Sequence, residues 1–471
     1  MQLREVLGDA ARDAPPVEVT ALAYDNRLVT PGTLFFCVPG FTRDGHDFAP
    51  DAVGRGAAAL VVQRPLGLGV PEVVVADVRA AMAPAAAALN GDPTAALRAV
   101  GITGTNGKTT TAFIVRGLLE AAGVRTGLVG TVNAVVGGTE RPMVRTTPEA
   151  IDLQRTFAEM RDAGDRAVVM EVSSHALALH RADAIHWAVA LFTNLTQDHL
   201  DFHPTMEEYF LAKRRLFEAG PEVAVINVDD AYGMRLAYDF PDAIRIGIDS
   251  PHAQLRAREI EGDANGSRFR VDGVELQSPL PGRFNVLNVL GAVAAARALG
   301  VDDRTIADGL AHAVRVPGRF EPVDEGQPFA VLVDYAHTPD SLDNVLRAAR
   351  PLATGRVVVV FGAGGDRDRA KRPLMGAVAC DHADVVIVTS DNPRSEDPRA
   401  IVAEILEGCG AGVDVEIDRR AAIERAVALA EPGDIVVVAG KGHEQGQEFE
   451  HGRKEPFDDS AVAREAIEEH S

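Results

Sequence analysis

The chain has 471 residues, which at about 150 residues per domain suggests three domains and a core that needs no disulfide staples. Hydrophobic residues make up 46% and charged residues 25%, an ordinary globular composition, yet the formal net charge is −22. So acidic a balance excludes a general nucleic-acid or anionic-membrane binder, since both need a basic face, and at first reading it disfavours an acidic substrate.

The N-terminus, MQLREVLGDAARDAPP, lacks the apolar core of a signal peptide. No stretch reaches the ~18–20 apolar residues of a membrane span. Cys37, Cys380 and Cys409 make no CxxC pair, which suits a reducing cytosol rather than a disulfide framework or a thiolate metal site. A cytoplasmic protein without nucleic-acid or membrane partners is expected.

Strands are predicted at 32–38, 59–62 and 73–76. The Ala-rich run at 80–89, interrupted by Pro84, reads as a helix before a turn at Gly91-Asp92-Pro93. A strand at 97–103 enters a glycine loop and a helix at 109–122, stopped by Gly123. Further strands follow at 167–171, 187–193 and 223–227. Residues 254–280 read as a small antiparallel insert with turns at 264–266 and Asp272-Gly273. A helix then runs from about Asn285 to Ala298. After Pro317-Gly318-Arg319, strands are predicted at 329–334, 356–361, 383–390 and 434–439. Strands alternating with longer helical patterns give an α/β chain with mostly parallel sheets. Three domains are expected: a smaller N-terminal α/β domain (1–96), a central P-loop-type mononucleotide-binding sheet (97–320) and a C-terminal Rossmann-like sheet (321–471).

Between strand and helix, Gly101-Ile-Thr-Gly-Thr-Asn-Gly-Lys-Thr-Thr110 has the composition of a phosphate cradle. Small residues let backbone N–H groups point at phosphates, and the helix N-terminus adds a favourable dipole. Lys108 would neutralise β/γ-phosphate charge and the Thr109 hydroxyl would ligate Mg²⁺. Ile102 stands where GxxxxGK[ST] has its first glycine. The pattern points to ATP.

In Met206-Glu-Glu-Tyr-Phe-Leu-Ala-Lys-Arg-Arg-Leu-Phe217, Lys213 has Tyr209, Phe210, Leu216 and Phe217 at helical spacing. It therefore lies on the apolar stripe. A lysine so placed either snorkels to water or, when buried, has its pKa lowered and its amine made nucleophilic. Such an amine can add CO₂ and become a carbamate, a carboxylate-like metal ligand. Met170–His175 and Phe192–His203 each follow a strand and bring polar groups to strand ends, where ligands collect in open α/β sheets.

The motifs TGTNGKTT, EVSSH, TNLTQDHLDFH, YFLAKRRLF, GRFNVLN, DYAHTPDSL, GGDRDRAKRP, DNPRSEDP and GKGHE run in order from residue 103 to residue 444. PGTLFFCVPG extends the series toward the N-terminus. On these residues the chain resembles the Mur ligase family, ATP-dependent enzymes that add amino acids to the peptidoglycan precursor, and within it the diaminopimelate-adding type. The resemblance implies that a D-glutamyl carboxylate attacks the γ-phosphate of ATP. The acyl phosphate is then captured by an amine, with Mg²⁺ and Lys108 stabilising phosphoryl charge. The implied substrates are ATP, UDP-MurNAc-L-Ala-D-Glu and meso-diaminopimelate, and a monomer is expected.

The resemblance assigns ATP phosphates to Gly104, Thr105, Asn106, Gly107, Lys108, Thr109 and Thr110, and other nucleotide contacts to Asn285 and His337. It implies one Mg²⁺ site at Thr109 and Glu171, and a second at His199 and a CO₂-derived carbamate on Lys213. Lys108, His199 and Lys213 are the implied catalytic residues. Tyr24, Asn26, Phe41, Thr42 and Arg43 occupy the uridine-binding positions, and Thr146, Thr147, Ser173 and Arg181 fit the sugar–peptide positions. Asn26 stands where the family commonly has serine, and Leu179 where related sequences often place glutamine. Asn26 can still hydrogen-bond, whereas Leu179 cannot.

For the amino acid, the loops Gly362–Arg367, Asp391–Arg394 and Gly440–Glu444 all leave strand ends that a parallel sheet would place together. Arg367, Asp391, Asn392, Pro393, Arg394, Gly440 and Glu444 are the residues expected there. Diaminopimelate differs from lysine by a far-end carboxylate, and a guanidinium binds carboxylate bidentately, so Arg394 is the expected discriminator. In family terms the lysine-adding type lacks this arginine, and a folylpolyglutamate-type ligase lacks the uridine-binding domain. The bulk charge thus stops being evidence against anionic metabolites. Cations are expected to gather locally at Lys108, Arg181, the run from Arg367 to Arg372, and Arg394.

Overall fold

A computed structural model describes residues 1–143, 145–263, 266–312, 316–410 and 412–470. The chain separates into two compact units. The first comprises Met1–Thr103, Ala122–Leu191 and Ala212–Ala224; the second comprises Gly104–Ala121, Phe192–Leu211 and Val225–Ser471.

The first unit opens with a four-stranded sheet of β1 (Ala21–Ala23), β2 (Thr33–Phe36), β3 (Ala57–Val62) and β4 (Glu72–Val74), side by side in chain order and all parallel. Its strands are short apolar runs because both faces are covered. Leu34, Phe36, Ala59 and Val61 join one core with Met82, whereas Phe35, Cys37, Leu60 and Val62 join another. That is the two-residue period of a pleated strand. The Ala-rich helix Val78–Leu89 passes through Pro84 before ending at Asn90.

A second sheet of this unit contains β5 (Arg98–Thr103), β6 (Thr126–Val129), β7 (Asn133–Val136), β8 (Thr139–Pro142), β9 (Ala167–Glu171) and β10 (Trp187–Phe192). Their order is β10-β5-β9-β6-β7-β8. The pairs β5–β9 and β9–β6 are parallel, and the meander β6-β7-β8 is antiparallel. No strand is predicted from the sequence between 126 and 142. There Gly137-Gly138 supplies the positive φ that a tight hairpin needs.

In the second unit, β11 (Val223–Asn227), β12 (Ile244–Gly247) and β13 (Leu255–Arg256) are parallel. The predicted insert is the antiparallel trio β14 (Arg258–Asp263), β15 (Gly266–Val271) and β16 (Val274–Ser278), but its first residues, Leu255 and Arg256, belong to the parallel sheet. Of the predicted turn at 264–266, positions 264 and 265 lie outside the described residues. The helix Lys108–Ala121 packs against the helix Arg283–Ala298, whose alanines allow close approach.

The C-terminal sheet contains β17 (Glu321–Val323), β18 (Ala330–Asp334), β19 (Val357–Phe361), β20 (Val385–Val388), β21 (Asp414–Val415) and β22 (Ile435–Ala439), in the order β17-β18-β22-β19-β20-β21. All pairs are parallel except β17–β18. Val357, Val359 and Phe361 face one core, and Val358 and Val360 the other. Since β18, β19, β20 and β22 run the same way, the loops after them emerge along one edge.

Candidate active site

The phosphate loop connects β5 to the helix that starts at Lys108. Two of its glycines are dictated by neighbours. Gly104 has φ +152° and a Cβ there would lie 1.8 Å from Thr193 Oγ1; Gly107 has φ +83° and a Cβ there would lie 2.2 Å from Asn288 Oδ1. The loop is therefore pinned from the segment after β10. Thr105 N donates to Asn194 O (2.9 Å), Asn106 N to Asn194 Oδ1 (2.9 Å), and Thr193 Oγ1 to Asn106 O (2.7 Å). Lys108 Nζ donates to the loop carbonyls of Gly104 (3.0 Å) and Thr105 (2.8 Å), so the ammonium sits inside the cradle. Thr109 and Thr110 occupy the first helical turn, both buried. Gly104→Ala should weaken ATP binding by about tenfold or more, because a left-handed-side φ and a buried clash must both be relieved. Calorimetric titration with a non-hydrolysable ATP analogue checks this.

Asn285, expected at the nucleotide, is buried, donating to Pro281 O (2.8 Å) and accepting from Asn288 Nδ2 (3.1 Å). Asn288, one turn later, is the residue that meets the loop. Asp340 accepts from Asn106 Nδ2 at 2.7 Å. Arg319 donates to Thr109 Oγ1 at 3.1 Å and stacks over the Tyr335 ring at 4.5 Å. Neither Asp340 nor Arg319 is among the residues expected here.

Around His337 stands a charged cluster. Asp198, 5% exposed, lies 3.8 Å from His337 Nε2, 3.6 Å from Lys371 Nζ and 3.3 Å from His199 Nε2. Burial alone would raise the Asp198 pKa, but His199, Lys371 and His337 together hold it well below the usual carboxylate range. Burial and the Lys371 cation lower the pKa of His337, whose Nδ1 is 2.8 Å from Tyr335 O. His199 has φ +57° and packs edge-on to Tyr209. Asp334, at the end of β18, accepts from Phe320 N at 2.7 Å, and burial pushes its carboxyl up to about 6 despite Arg319.

Between its ordinary 3.8 and about 6, Asp334 keeps a proton in the folded chain that the unfolded chain has released. Stability therefore falls as pH rises through that window, by roughly 3 kcal/mol in all. Asp334→Asn should remove this slope. Urea titrations of variant and wild type between about pH 4 and 7 would show their difference widening in the variant's favour.

In the first unit, Glu171 closes β9 with 1% exposure. It accepts from Thr131 N (2.7 Å) and Thr131 Oγ1 (3.1 Å), and a Cβ on Gly130 would lie 2.5 Å from its Oε1. Thr131 Oγ1 is 3.0 Å from Thr146 Oγ1. Thr147 Oγ1 donates to Glu171 O (2.8 Å), and Ser173 caps the helix Ser174–Ala178 by accepting from Ala176 N. Leu179 ends that helix. Arg181 pairs with Glu149 (2.8 Å), as do Arg145 (2.8 Å) and Arg79 (3.3 Å). One buried carboxylate thus gathers three guanidiniums beside Thr146 and Thr147, a concentration of positive charge that the sequence did not disclose. Tyr24 donates to Asp152 (2.6 Å), Asn26 to Asp51 (2.7 Å), and Phe41 is 78% exposed in the turn closed by Gly40 N to Arg43 O. Thr42 lies in the same turn.

Lys213 is 1% exposed on the helix Met206–Glu218, and Tyr209, Phe210, Leu216 and Phe217 are equally buried. It does not snorkel. The expected metal ligands divide between the units, Glu171 and Lys213 in the first and Thr109 and His199 in the second. Among the described residues, no group of three or more His, Cys, Asp or Glu is arranged to hold a metal ion. The donors of the expected first site fit Mg²⁺ chemically. A buried carboxylate and a hydroxyl that already accepts from a cation, Arg319, are hard oxygen donors.

The C-terminal loops meet as expected. Arg394 Nη1 donates to Gly365 O (2.7 Å) and its Nε to Glu448 Oε2 (3.0 Å). Asn392 Nδ2 donates to Glu444 Oε2 (2.8 Å), and the fully buried Lys441 reaches Asn392 Oδ1 (2.8 Å) and Glu444 Oε2 (3.1 Å). Pro393 O would lie 1.9 Å from a Cβ on Gly365, and Asp391 Oδ2 2.4 Å from one on Gly440. Buried Asp391 is held below the ordinary carboxylate pKa by Lys441 and Arg419, against its desolvation. Arg367 is half-exposed, 3.9 Å from Asp201. The run Arg367–Arg372 is not a free positive patch. Arg369 pairs with Glu404, Arg372 with Glu396 and Glu404 at zero exposure, and Lys371 with Asp198.

Family models match in chain order: "Mur ligase family, catalytic domain" at 18–91, "Mur ligase middle domain" at 102–296, and "Mur ligase, glutamate ligase domain" at 318–442. A UDP-N-acetylmuramoyl-L-alanyl-D-glutamate–2,6-diaminopimelate ligase of Geobacillus thermodenitrificans is 49% identical over 96% of this chain and 95% of its own length. One of Streptomyces coelicolor is 48% identical over 99% and 96%. A solved structure of a ligase with that name is 32% identical, with TM-score 0.71 over 100% of this chain and 99% of its own. A folylpolyglutamate synthase of Mycobacterium tuberculosis, 22% identical with TM-score 0.63 over 77% of this chain and 92% of its own, shares the fold. With three matched domains in order and relatives aligned end to end, the chain belongs to the Mur ligase family.

Proposed function

We propose that the protein is an ATP-dependent amide ligase that joins meso-2,6-diaminopimelate to UDP-MurNAc-L-Ala-D-Glu, releasing ADP and phosphate, in peptidoglycan precursor synthesis. The observation that carries this reading is the 49% and 48% identity, over 96% and 99% of the chain, to relatives bearing that name, with DNPR standing at the meeting point of the C-terminal loops. The turn at Phe41, Thr42 and Arg43, with Tyr24 and Asn26, would take the uridine. Thr146, Thr147, Ser173 and Arg181 would take the sugar–peptide.

The loop amides and Lys108 would hold the ATP phosphates and stabilise charge as the D-glutamyl carboxylate attacks the γ-phosphorus. The amine of diaminopimelate would then add to the acyl carbon, and phosphate would leave as the amide forms. Asp198, held ionised beside His199 and Lys371, suits the positioning of cationic groups during that step. Mg²⁺, held by Thr109 and Glu171 and by His199 with a carbamate on Lys213, would neutralise phosphate charge when bound. The dense burial of Lys213 supports the carbamate.

The three family matches support domains at 1–96, 97–320 and 321–471. No helix of the described residues is long and apolar enough to cross a membrane. A cytoplasmic monomer acting on small molecules, and through the wall precursor on cell shape and division, is the setting we infer.

The test is phosphate release with ATP, UDP-MurNAc-dipeptide and a panel of acceptors. Turnover is expected with diaminopimelate and little with lysine or glutamate. Preference for lysine, or turnover of folate with glutamate, would replace this reading.

A further inference from the structure

Cys380 lies on the helix Lys371–His382, and Cys409 follows the helix Pro398–Leu406. Two glycines let these segments touch. A Cβ at Gly408 would lie 1.8 Å from Pro373 O; one at Gly376 would lie 2.1 Å from Ile405 O and 3.0 Å from Cys409 Sγ. Gly376 and Cys380 are one helical turn apart and share a face, so the Cys409 sulfur lies over the face that carries Cys380. The Cys409 thiol donates to Ile405 O at 3.7 Å, and the neighbouring Cys380 thiol raises its pKa. Both cysteines are half-buried, whereas Cys37 is fully buried. The ligase chemistry uses none of the three.

We propose that Cys380 and Cys409 form a dithiol site that closes to an intramolecular disulfide when it meets a small-molecule disulfide. The Cys380 thiolate attacks one sulfur of the reagent, forming a mixed disulfide and expelling one thiolate. Cys409 then attacks the Cys380 sulfur and expels the second thiolate. The two protein sulfurs lose two electrons, the reagent gains them, and the two cysteine protons end on the two released thiols. Cys409 acts second because burial and the neighbouring Cys380 thiol push its own thiol up to about 12. The bridge would tie the helix whose first turn carries Lys371 and Arg372 to the helix behind it.

The full-length protein would be incubated with 2-hydroxyethyl disulfide, then denatured for thiol titration and digested for mass spectrometry. The three thiols of the chain should fall to one. The peptides carrying Cys380 and Cys409 should appear linked and two hydrogens lighter, with a monomer on a non-reducing gel. Excess dithiothreitol should restore all thiols. The Cys409→Ser chain should instead keep one stable adduct on Cys380. Separate adducts on Cys380 and Cys409 in the unaltered chain would overturn the proposal, as would thiols that stay reduced or a bridge between chains.

Discussion

Lys213→Ala should abolish amide formation, lowering kcat by at least about a thousandfold, while the variant remains folded. The structure removes the ordinary explanation for a lysine on an apolar stripe: at 1% exposure its ammonium does not reach bulk water. Burial disfavours the charged form of an amine. An amine in its neutral form is the one that adds CO₂, and the product presents two oxygens where the side chain had a nitrogen. Truncation to alanine also leaves a cavity, with a stability loss of about 2–4 kcal/mol expected. Lys213→Met separates the two effects, since it keeps most of the volume and cannot form a carbamate. If the carbamate is the working group, both variants are inactive, and formate or acetate restores part of the turnover in Lys213→Ala, where there is room. A fully active Lys213→Met variant would falsify the assignment.

How much of this was legible beforehand follows from the range of each interaction. The phosphate loop and the Lys213 stripe are local patterns: glycine spacing and helical period carry them, and the structure places both as read. The sheets were also legible, because strands covered on both faces are unbroken apolar runs, as in Val357–Phe361. The β6-β7-β8 meander was missed because its last strand, Thr139–Pro142, is exposed throughout and carries no apolar signature, while buried β6 and β7 are runs of only four residues each.

Charges were the least legible. Arg372 and Arg394 look alike in sequence, yet Arg372 is locked at zero exposure between Glu396 and Glu404, whereas Arg394 stands at the loop junction. The grouping of Arg79, Arg145 and Arg181 on Glu149 draws on separate segments that only the fold brings together. The same holds for Asp198 with Lys371. Which cations remain for substrate is a tertiary property, so the net charge of −22 could not report it.

Arg394→Ala should lower kcat/KM for diaminopimelate by about a hundredfold or more and change the value for lysine by only a few-fold. The residue is held in a left-handed conformation, φ +52°, by its N–H bond to Glu448 O (3.0 Å). Only a surrounding structure that over-determines such a backbone keeps it there. Glu448 also takes the guanidinium Nε, and Gly365 O takes Nη1, so the fork is fixed before any ligand arrives. A guanidinium has five N–H donors, and these two bonds engage two of them. A second carboxylate at the far end of the amino acid can meet the remaining donors bidentately; lysine has none to offer. Removing the arginine leaves that carboxylate desolvated without its partner, a loss of a few kcal/mol that applies to diaminopimelate alone. Arg394→Lys keeps the charge without the planar fork and should fall between the two. The measurement is the ratio of kcat/KM for the two amino acids across wild type, Arg394→Lys and Arg394→Ala. A ratio unchanged along that series would move the selectivity elsewhere in the loop cluster.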